Sequence, residues 1–279
     1  MERKGPTFYL LALFFCLFVL FLYGPIVTIG ILSFQGPNGG LTFPMNGVSL
    51  HWFYDLFEEQ AVGDIWGAFG RSFILGLIVM ITTVVMSVMG GLAFRRSFRG
   101  SSMVFYLVIA SLIIPSILVS LGIGLIFNIL EWPVHWSTSG LGAQLTWTLP
   151  FGLLIMFAVF NRFDKSFEEA GRDLGASPWQ TFRYVVLPMI APSLIGVALF
   201  GFTLSYDEFA RTLLTSGSYN TLPLEIFGMT TNVTTPVLYA LGTLTTAFSL
   251  MIILVFLGIA IFVRRRRERL GSDAGKGMV

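Results

Sequence analysis

Charged side chains are scarce in this sequence. Only 11% of its 279 residues are Asp, Glu, Lys or Arg, whereas 55% are hydrophobic, and the mean hydropathy is +0.80. A soluble domain carries roughly a quarter charged residues, so the composition argues against a soluble protein. The net charge of +2 is small, and where the charges lie is more informative than their sum. We therefore expect a membrane protein.

Reactive and metal-binding residues are also few. Cys16 is the only cysteine and lies in an apolar run, which excludes an internal disulfide and predicts a buried, inert thiol. The two histidines, His51 and His135, fall outside the long apolar runs and are expected at a surface. The sequence has no phosphate-binding loop, no zinc motif and no Ser/His/Asp set. It thus predicts no catalytic residue, no metal, no cofactor and no nucleic-acid partner, and it argues against ATP binding by this chain.

Long apolar runs predict six membrane-spanning helices in an all-α polytopic fold. The first run is long and no small-residue cleavage site follows it, so we expect a retained helix and not a signal peptide. Pro115 is expected to kink the third span. A short amphipathic helix is expected from Ser49, whereas residues 216–235 are expected to form a loop. The predicted spans are residues 8–32, 72–94, 102–130, 143–160, 192–214 and 236–263.

Lys and Arg residues predict the orientation of these spans. Nearly all of them fall on one side of the membrane, and only Arg71 and Arg211 fall on the other. The positive-inside rule places the basic side in the cytoplasm, so both termini are expected there. The run from Arg264 to Arg267 could be a specific anionic-lipid site, but a simple stop-transfer anchor is favoured.

One polar stretch, about residues 161–191, separates the fourth span from the fifth. In its first half, Phe163, Phe167, Ala170 and Leu174 recur at helical spacing and would form one apolar face. Gly175 comes next, and a residue able to adopt positive φ suits a helix C-terminus. The first half therefore predicts a short amphipathic helix that ends at a sharp turn.

The second half of this stretch predicts another short helix. Ser177 as N-cap, Pro178 at the first helical position and Gln180 two residues later form a capping box. Leu187 and Pro188 are expected to end or kink this helix. Taken alone, the two helices could simply tile the bilayer surface. The residues expected to share one face of the second helix are Trp179, Phe182 and Val186.

The spacing within this stretch resembles the cytoplasmic "EAA" signature of ABC importer permeases. Glu169-Ala170-Gly171 is followed at the family's intervals by Gly175, Val185 and Leu187-Pro188. The one departure is Gly171, where the family usually has alanine. The resemblance implies that this loop couples the chain to an ATPase. The residues to which this role is assigned are Glu168, Glu169, Ala170, Gly171, Gly175, Ser177, Pro178, Leu187 and Pro188.

Acidic residues near the end of the fifth predicted span form a second candidate site. If that helix begins near Pro192, Asp207 lies about 22 Å along it at 1.5 Å per residue, in the outer third of the bilayer. Charges at such depth usually mark a pathway, which would include Tyr206, Glu208 and Arg211. Alternatively, Asp207 and Arg211 could form a structural pair at i, i+4, which leaves Glu208 unbalanced. Both interpretations stay open.

Phe202-Thr203-Leu204-Ser205 is followed by the acidic pair Asp207-Glu208, and then by Leu222-Pro223 with Ile226 three residues later. This pattern resembles the second permease subunit of spermidine/putrescine importers, which have a Phe-Thr-Leu-Ser segment, two acidic residues and then a Leu-Pro-x-x-Ile segment. The resemblance covers about residues 71–262. Permeases for iron, phosphonates and opines share parts of this pattern, and an amino acid is a further candidate substrate. The matching residues here are 202–208 and 222–229.

Together the two resemblances imply a type I ABC importer permease in the bacterial inner membrane. Its domains would be a cytoplasmic N-terminus (1–7), a transmembrane domain (8–263) and a basic cytoplasmic tail (264–279). The implied partners are a second permease, two cytoplasmic ATP-binding subunits, a periplasmic substrate-binding protein and membrane lipid. The competing classes are an ATP-independent secondary transporter or channel, against which no inverted repeat of broken helices is visible, and a membrane scaffold without transport. Co-purification with an ATPase would distinguish an ABC importer permease from both of these competing classes.

Overall fold

The computed structural model describes residues 5–58, 63–96, 98–232 and 235–276. These residues form eleven α-helices, and an isolated antiparallel bridge joins Gln35 to Val48. Two π-helical turns, Trp136–Gly140 and Phe182–Val186, lead directly into the sixth and ninth helices. The helices are α1 (Pro6–Leu32), α2 (His51–Asp55), α3 (Ile65–Phe94), α4 (Ser101–Ile113), α5 (Ser116–Ile129), α6 (Leu141–Asn161), α7 (Ser166–Asp173), α8 (Pro178–Thr181), α9 (Leu187–Tyr206), α10 (Leu222–Asn232) and α11 (Val237–Lys276).

The long helices confirm the predicted all-α membrane architecture. An apolar chain in a bilayer must satisfy its backbone internally, and the helix is the structure that does so within one segment. α4 and α5 are together long and apolar enough to cross a membrane. Counted as one broken span, they bring the number of candidate spans among the described residues to six. The five unbroken spans among the described residues are Pro6–Leu32, Ile65–Phe94, Trp136–Asn161, Pro178–Tyr206 and Val237–Val263.

The predicted kink at Pro115 is a sharp break between two helices. α4 ends at Ile113, Ile114 is extended with φ −68° and ψ 127°, and α5 begins at Ser116. Proline lacks the N–H that would continue the helix, and it also disfavours the helical conformation of the residue before it. The two helices consequently meet at a bend of 107°.

The fifth span begins and ends earlier than the sequence predicted. α8, the second π-helical turn and α9 form one continuous helix, so the expected stop at Leu187 and Pro188 is wrong. Pro188 stands in the first turn of α9, directly after the wider π-helical turn, where a helix can accommodate a missing donor. Because α9 ends at Tyr206, Asp207 lies just after the helix and not inside it.

The short helix expected from Ser49 is present as α2, and the Ser49 hydroxyl accepts a hydrogen bond from the backbone N–H of His51 at 3.0 Å. The expected loop at 216–235 is wrong because it contains α10, whose first backbone N–H, that of Leu222, donates to Ser72 Oγ of α3 at 2.8 Å. That bond spans 150 residues, so local sequence could not reveal it. Cys16 is exposed on α1 and not buried as expected.

The chain divides into two compact units, described here separately. Residues 1–64 and 226–250 form one unit, in which the buried side chain of Gln35 organises the loop after α1. Gln35 donates to the Gly40 carbonyl at 3.1 Å and accepts from the Asn46 N–H at 2.7 Å. Tyr239 also holds this loop, because its hydroxyl donates to the Leu41 carbonyl at 2.8 Å.

The other unit, residues 65–225 and 251–279, has its core where α3, α6 and α9 pack together. Small residues let these helices approach closely. A Cβ at Gly152 of α6 would lie 2.1 Å from Ser87 Oγ of α3, so a larger residue does not fit there. The buried hydrophobic residues of this core are Val88, Met156, Phe160, Val186, Ile190 and Val197. Residues 161–191, which we call the coupling loop after their predicted role, lie where α6 of this core ends and α9 begins.

Candidate functional sites

The turn between α7 and α8 follows directly from its sequence. Gly175 has φ +83°, which confirms the predicted left-handed conformation. Its N–H donates to the Arg172 carbonyl at 2.8 Å, and the Ala176 N–H donates to the Gly171 carbonyl at 3.1 Å. These two bonds make a Schellman motif, in which the last carbonyls of α7 find partners. The direction in which the chain leaves α7 is therefore well defined.

The start of α8 shows the predicted capping box. The Gln180 N–H donates to Ser177 Oγ at 3.3 Å, and the Ser177 N–H donates to Gln180 Oε1 at 2.7 Å. Pro178 occupies the first turn, where no donor is needed. Because α8 continues into α9, the cap sets the start of a membrane span as well as that of a short surface helix.

The two adjacent glutamates of α7 have different surroundings. Arg95, from the end of α3, donates to Glu168 Oε1 at 2.5 Å, and each side chain is only 14% exposed. Arg172 lies 3.8 Å from the same carboxylate but is largely exposed. Glu169, by contrast, is exposed. Glu168 therefore faces the transmembrane core, and Glu169 is the one available to an outside partner.

Arg95, which follows α3 directly, also contacts aromatic rings. Its guanidinium lies 5.3 Å from the ring centroids of both Phe160 and Phe163, in addition to its bond with Glu168. Cations are attracted to aromatic faces at such distances. The sequence near Arg95 shows only a cation at the end of an apolar run. Its partner Glu168 lies 73 residues away, so local periodicity could not predict the pair.

Several apolar side chains of the coupling loop are exposed, whereas others pack against the core. Of the four residues expected to share an apolar face, Phe163 precedes α7 and packs against the core, whereas Phe167, Ala170 and Leu174 are all exposed. Leu174 is 90% exposed, and Trp179 is 68% exposed. Trp179 and Val186 were expected on one face, but Val186 is buried because the π-helical turn between them alters the helical period. The exposed apolar residues, which we call the outer loop surface, are Phe167, Leu174, Trp179 and Tyr184.

Three of the nine residues assigned to coupling border a common cavity. A cavity of about 570 Å³ between the end of α3 and the α7–α8 pair is lined by Glu168, Glu169 and Pro178. A Cβ added at Gly171 would meet Val185 at 3.5 Å, an ordinary contact, so the alanine usual in the family would fit there. Leu187 and Pro188 lie at the start of α9, and Ala170 is exposed on α7.

The start of α7 is held by a carboxylate. The Ser166 N–H donates to Asp164 Oδ1 at 2.9 Å. Hydrogen bonds from the backbone and side chain of Ser166 stabilise the ionised form and hold the pKa of Asp164 below its ordinary value. The Asp164 carboxylate is thus charged at physiological pH and favours the N-terminus of the coupling helix.

The acidic cluster after α9 is divided by burial. Tyr206 is buried, and its ring stacks on Phe202 with centroids 5.7 Å apart and meets Phe69 edge-on at 6.3 Å. Asp207 is exposed, whereas Glu208 is half-buried. The Tyr206 ring is thus occupied by its neighbours, and Asp207 is the member that a solute could reach.

Arg211 is a buried cation with several partners, so its proposed pairing with Asp207 is wrong. It lies 4.0 Å from Glu208, because α9 ends at Tyr206 and the following turn brings i and i+3 together. Its guanidinium donates to Ser116 Oγ at 2.6 Å and to Thr146 Oγ1 at 3.2 Å, and it lies 4.8 Å from the Trp147 ring centroid. These partners come from α5 and α6, so Arg211 joins the broken span to the core.

The comparisons with known proteins complete this picture. Residues 84–268 match the family of binding-protein-dependent transport system inner membrane components. The chain belongs to this family. The prediction that the chain is an ABC importer permease is confirmed. The chain is the membrane subunit of such an importer and not its ATPase. Such a subunit works with ATPase and binding-protein partners, so the ATP-independent transporter and the scaffold are set aside.

Similar proteins point in the same direction. The chain is 29% identical over 250 residues to the spermidine/putrescine transport system permease protein PotC of Haemophilus influenzae. The aligned region covers 89% of this chain and 95% of that protein. It is 28% identical over 232 residues to the putrescine transport system permease protein PotI of Escherichia coli K12, with coverage of 80% and 81%.

Solved structures support the fold. A chain of a bacterial ABC transporter that imports the acidic polysaccharide alginate superposes with a TM-score of 0.71 at 14% identity, over 91% of this chain and 94% of that one. A chain of the MetNI methionine ABC transporter gives 0.54 at 18% identity, over 71% and 94%. At such identities the likeness extends to the fold and not to the cargo.

Proposed function

We propose that this chain is a polyamine permease, which forms the pathway for spermidine or putrescine together with a second, homologous permease. The observation that carries this proposal is the identity of 28–29% to two polyamine permeases over at least 80% of the chain. The exposed carboxylate of Asp207 is consistent with a cationic cargo, because carboxylates bind ammonium groups through charge-assisted hydrogen bonds. A permease of this type for iron, phosphonate, opine or an amino acid is the alternative.

The coupling loop is proposed to dock on the ATPase through its outer loop surface. Leu174 and Trp179 are apolar and exposed on a segment that is otherwise rich in charge. Exposed apolar patches framed by polar residues are typical of protein interfaces. Glu169 is exposed nearby and would add a charge at the edge of the interface. Gly175, Ser177 and Pro178 would act indirectly, because they set the angle between the two halves of this surface.

The proposed assembly contains two permeases, two cytoplasmic ATP-binding subunits and a periplasmic substrate-binding protein in the bacterial inner membrane. The chain would contribute a cytoplasmic N-terminus (1–7), a transmembrane domain (8–263) and a basic cytoplasmic tail (264–279). Both termini and the coupling loop would face the cytoplasm, because the basic residues concentrate there. ATP-driven closure of the ATPases would move the loop and switch the access of the pathway.

The cargo is tested with the purified complex in proteoliposomes. ATP hydrolysis stimulated by the loaded binding protein is measured with polyamines, amino acids, phosphonates, opines and iron chelates, and uptake is measured in parallel. Stimulation and uptake restricted to polyamines would support the proposal. Stimulation by another member of the panel, with no response to spermidine or putrescine, would contradict the cargo but leave the family assignment intact.

The docking surface is tested by Leu174→Asp. A charge at a fully desolvated apolar contact is costly, so the variant should lose co-purification with the ATPase while its membrane insertion is retained. Leu130→Asp is the matched control, since Leu130 is an exposed leucine that caps α5, away from the coupling loop. ATPase recovery equal to wild type in Leu174→Asp would contradict docking through this surface.

A further inference from the structure

We propose that a cavity beside the coupling loop binds one anionic phospholipid, with its headgroup at Lys165 and Arg95 and an acyl chain against phenylalanine rings. The cavity has a volume of about 460 Å³ and lies where α3 and α6 end and α4 begins. It is separate from the larger cavity of the coupling residues, although Arg95 and Lys165 border both. The proposal goes beyond transport, because it concerns a lipid and not the cargo.

The wall of this cavity is strongly aromatic. The ring centroid of Phe157 lies 4.7 Å from that of Phe94 and 5.7 Å from that of Phe105, and all three residues line the cavity. Phe160 and Phe163 complete the phenylalanine lining. Such a surface favours hydrocarbon over water. A small soluble anion would leave it uncovered, and a polyamine would be repelled by the cations at the rim.

The rim of the cavity carries the positive charge. Lys165 is exposed, and no ion pair engages it among the residues that the structure describes. Arg95 already forms an ion pair with Glu168, which fixes the position of its N–H donors. The positive charge that no ion pair balances therefore comes from Lys165. Asn161 adds a side-chain amide to the same rim. Basic pockets between transmembrane helices at the cytoplasmic surface are suited to anionic lipid headgroups.

The neighbouring helix leaves room for the rest of the lipid. α4 has no buried residue, and its side chains Met103, Tyr106 and Leu107 are well exposed. A smaller cavity of about 230 Å³ shares Phe94 and Phe105 and extends the lining along the start of α4. An acyl chain in the phenylalanine cavity could thus continue along α4, which a free phosphate could not exploit.

The experiment uses the whole importer in nanodiscs that contain photoactivatable phosphatidylglycerol or photoactivatable phosphatidylcholine with the same acyl chains. Phosphatidylglycerol should label the peptides that contain Phe105 and Phe157, and phosphatidylcholine should label them much less. Lys165→Gln should weaken the phosphatidylglycerol labelling about fivefold, the factor that corresponds to one cation at an anionic surface. Phe157→Leu should also weaken it. Excess inorganic phosphate should not compete.

Arg99→Gln is the matched control, because Arg99 lies in the same basic turn but does not line the cavity. Equal labelling by the two lipids, or labelling unchanged in both Lys165→Gln and Phe157→Leu, would overturn the proposal. Competition by inorganic phosphate would overturn it too. So would lipid labelling found on a partner permease or ATPase and not on the peptides that contain Phe105 and Phe157. Labelling requires no transport, so its failure is distinguishable from failure of the proposed cargo.

Discussion

Arg95 and Glu168 join the end of a membrane span to the coupling helix. The bond of 2.5 Å between Nη1 and Oε1 is the charged contact through which α3 holds α7. Glu168 also approaches Arg172, but that residue belongs to α7 itself and cannot link two elements. Movement of α7 by an ATPase would therefore be passed to α3 through Arg95.

The first prediction concerns this ion pair. A hydrogen bond to a charged group contributes about 1.5–3 kcal/mol, so Arg95→Gln should reduce transport per ATP hydrolysed by roughly tenfold or more. Uptake and ATP hydrolysis are measured in the same proteoliposomes. Arg172→Gln removes the other cation near Glu168 and should change the ratio little. A ratio reduced equally in both variants would mean that α7 needs charge balance only. Partial rescue is expected from the exchange Arg95→Glu with Glu168→Arg.

Two glycines of the coupling loop should respond in opposite directions to a side chain. Gly175 has φ +83° with open space around its Cβ position, so Gly175→Val costs about 1–2 kcal/mol from the backbone alone. Gly171 is helical with room for a methyl group, so Gly171→Ala should add about 0.5–1 kcal/mol of stability. Thermal unfolding and uptake are both measured. Normal uptake in Gly175→Val would show that the angle between α7 and α8 is unimportant.

Arg211 should be a determinant of stability. Its side chain is buried, and its removal takes the guanidinium away from Ser116, Thr146 and Glu208, although the backbone N–H of residue 211 still donates to Glu208 Oε1. Loss of one partner of a buried charge pair costs about 3–5 kcal/mol, so Arg211→Gln should lower the melting temperature of the purified complex markedly. A melting temperature close to that of wild type would indicate that water or another cation replaces the guanidinium.

Asp207 should behave in the opposite way. It is exposed, and Arg211 pairs with Glu208 in its place. Asp207→Asn should therefore slow polyamine uptake while the melting temperature and the stimulated ATPase activity stay near wild type. Glu208→Gln should affect both uptake and melting temperature, because it weakens the Arg211 site. Wild-type uptake in Asp207→Asn would remove this carboxylate from the pathway.

The proposed orientation is tested with single cysteines in a Cys16→Ala background, since Cys16 is exposed. Gly40 has open space around its Cβ position, and Ser166 is exposed at the start of the coupling helix. An impermeant thiol reagent added to cells with a permeable outer membrane should label Gly40→Cys. It should label Ser166→Cys only after the inner membrane is opened. Outside labelling of Ser166→Cys would reverse the topology and contradict docking to an ATPase.

Local chemistry made part of the structure predictable. The turn at Gly175 and the cap at Ser177 depend on residues within one or two helical turns, and both were found as expected. The spans could be located because a bilayer imposes length and hydropathy on each segment separately. The fold class was accessible for the same reason.

Long-range contacts determine the rest, and a single sequence does not encode them in its periodicity. The partners of Arg211 come from α5 and α6, which lie 95 and 65 residues away. The continuation of the helix through Pro188 depends on a π-helical turn, for which the sequence has no simple signal. To predict that Arg211 pairs with Glu208, one must know that α9 ends at Tyr206. The sequence placed this end several residues later, which favoured pairing with Asp207 instead.

The continuous helix from Pro178 to Tyr206 has a mechanical consequence. Its 29 residues extend about 43 Å at 1.5 Å per residue, from the coupling loop to the residue before Asp207. Its π-helical turn and both internal prolines, Pro188 and Pro192, lie at or before its midpoint, and no proline follows between Ser193 and Tyr206. In the proposed mechanism, this single helix would connect the coupling loop at the ATPase with Asp207 at the pathway.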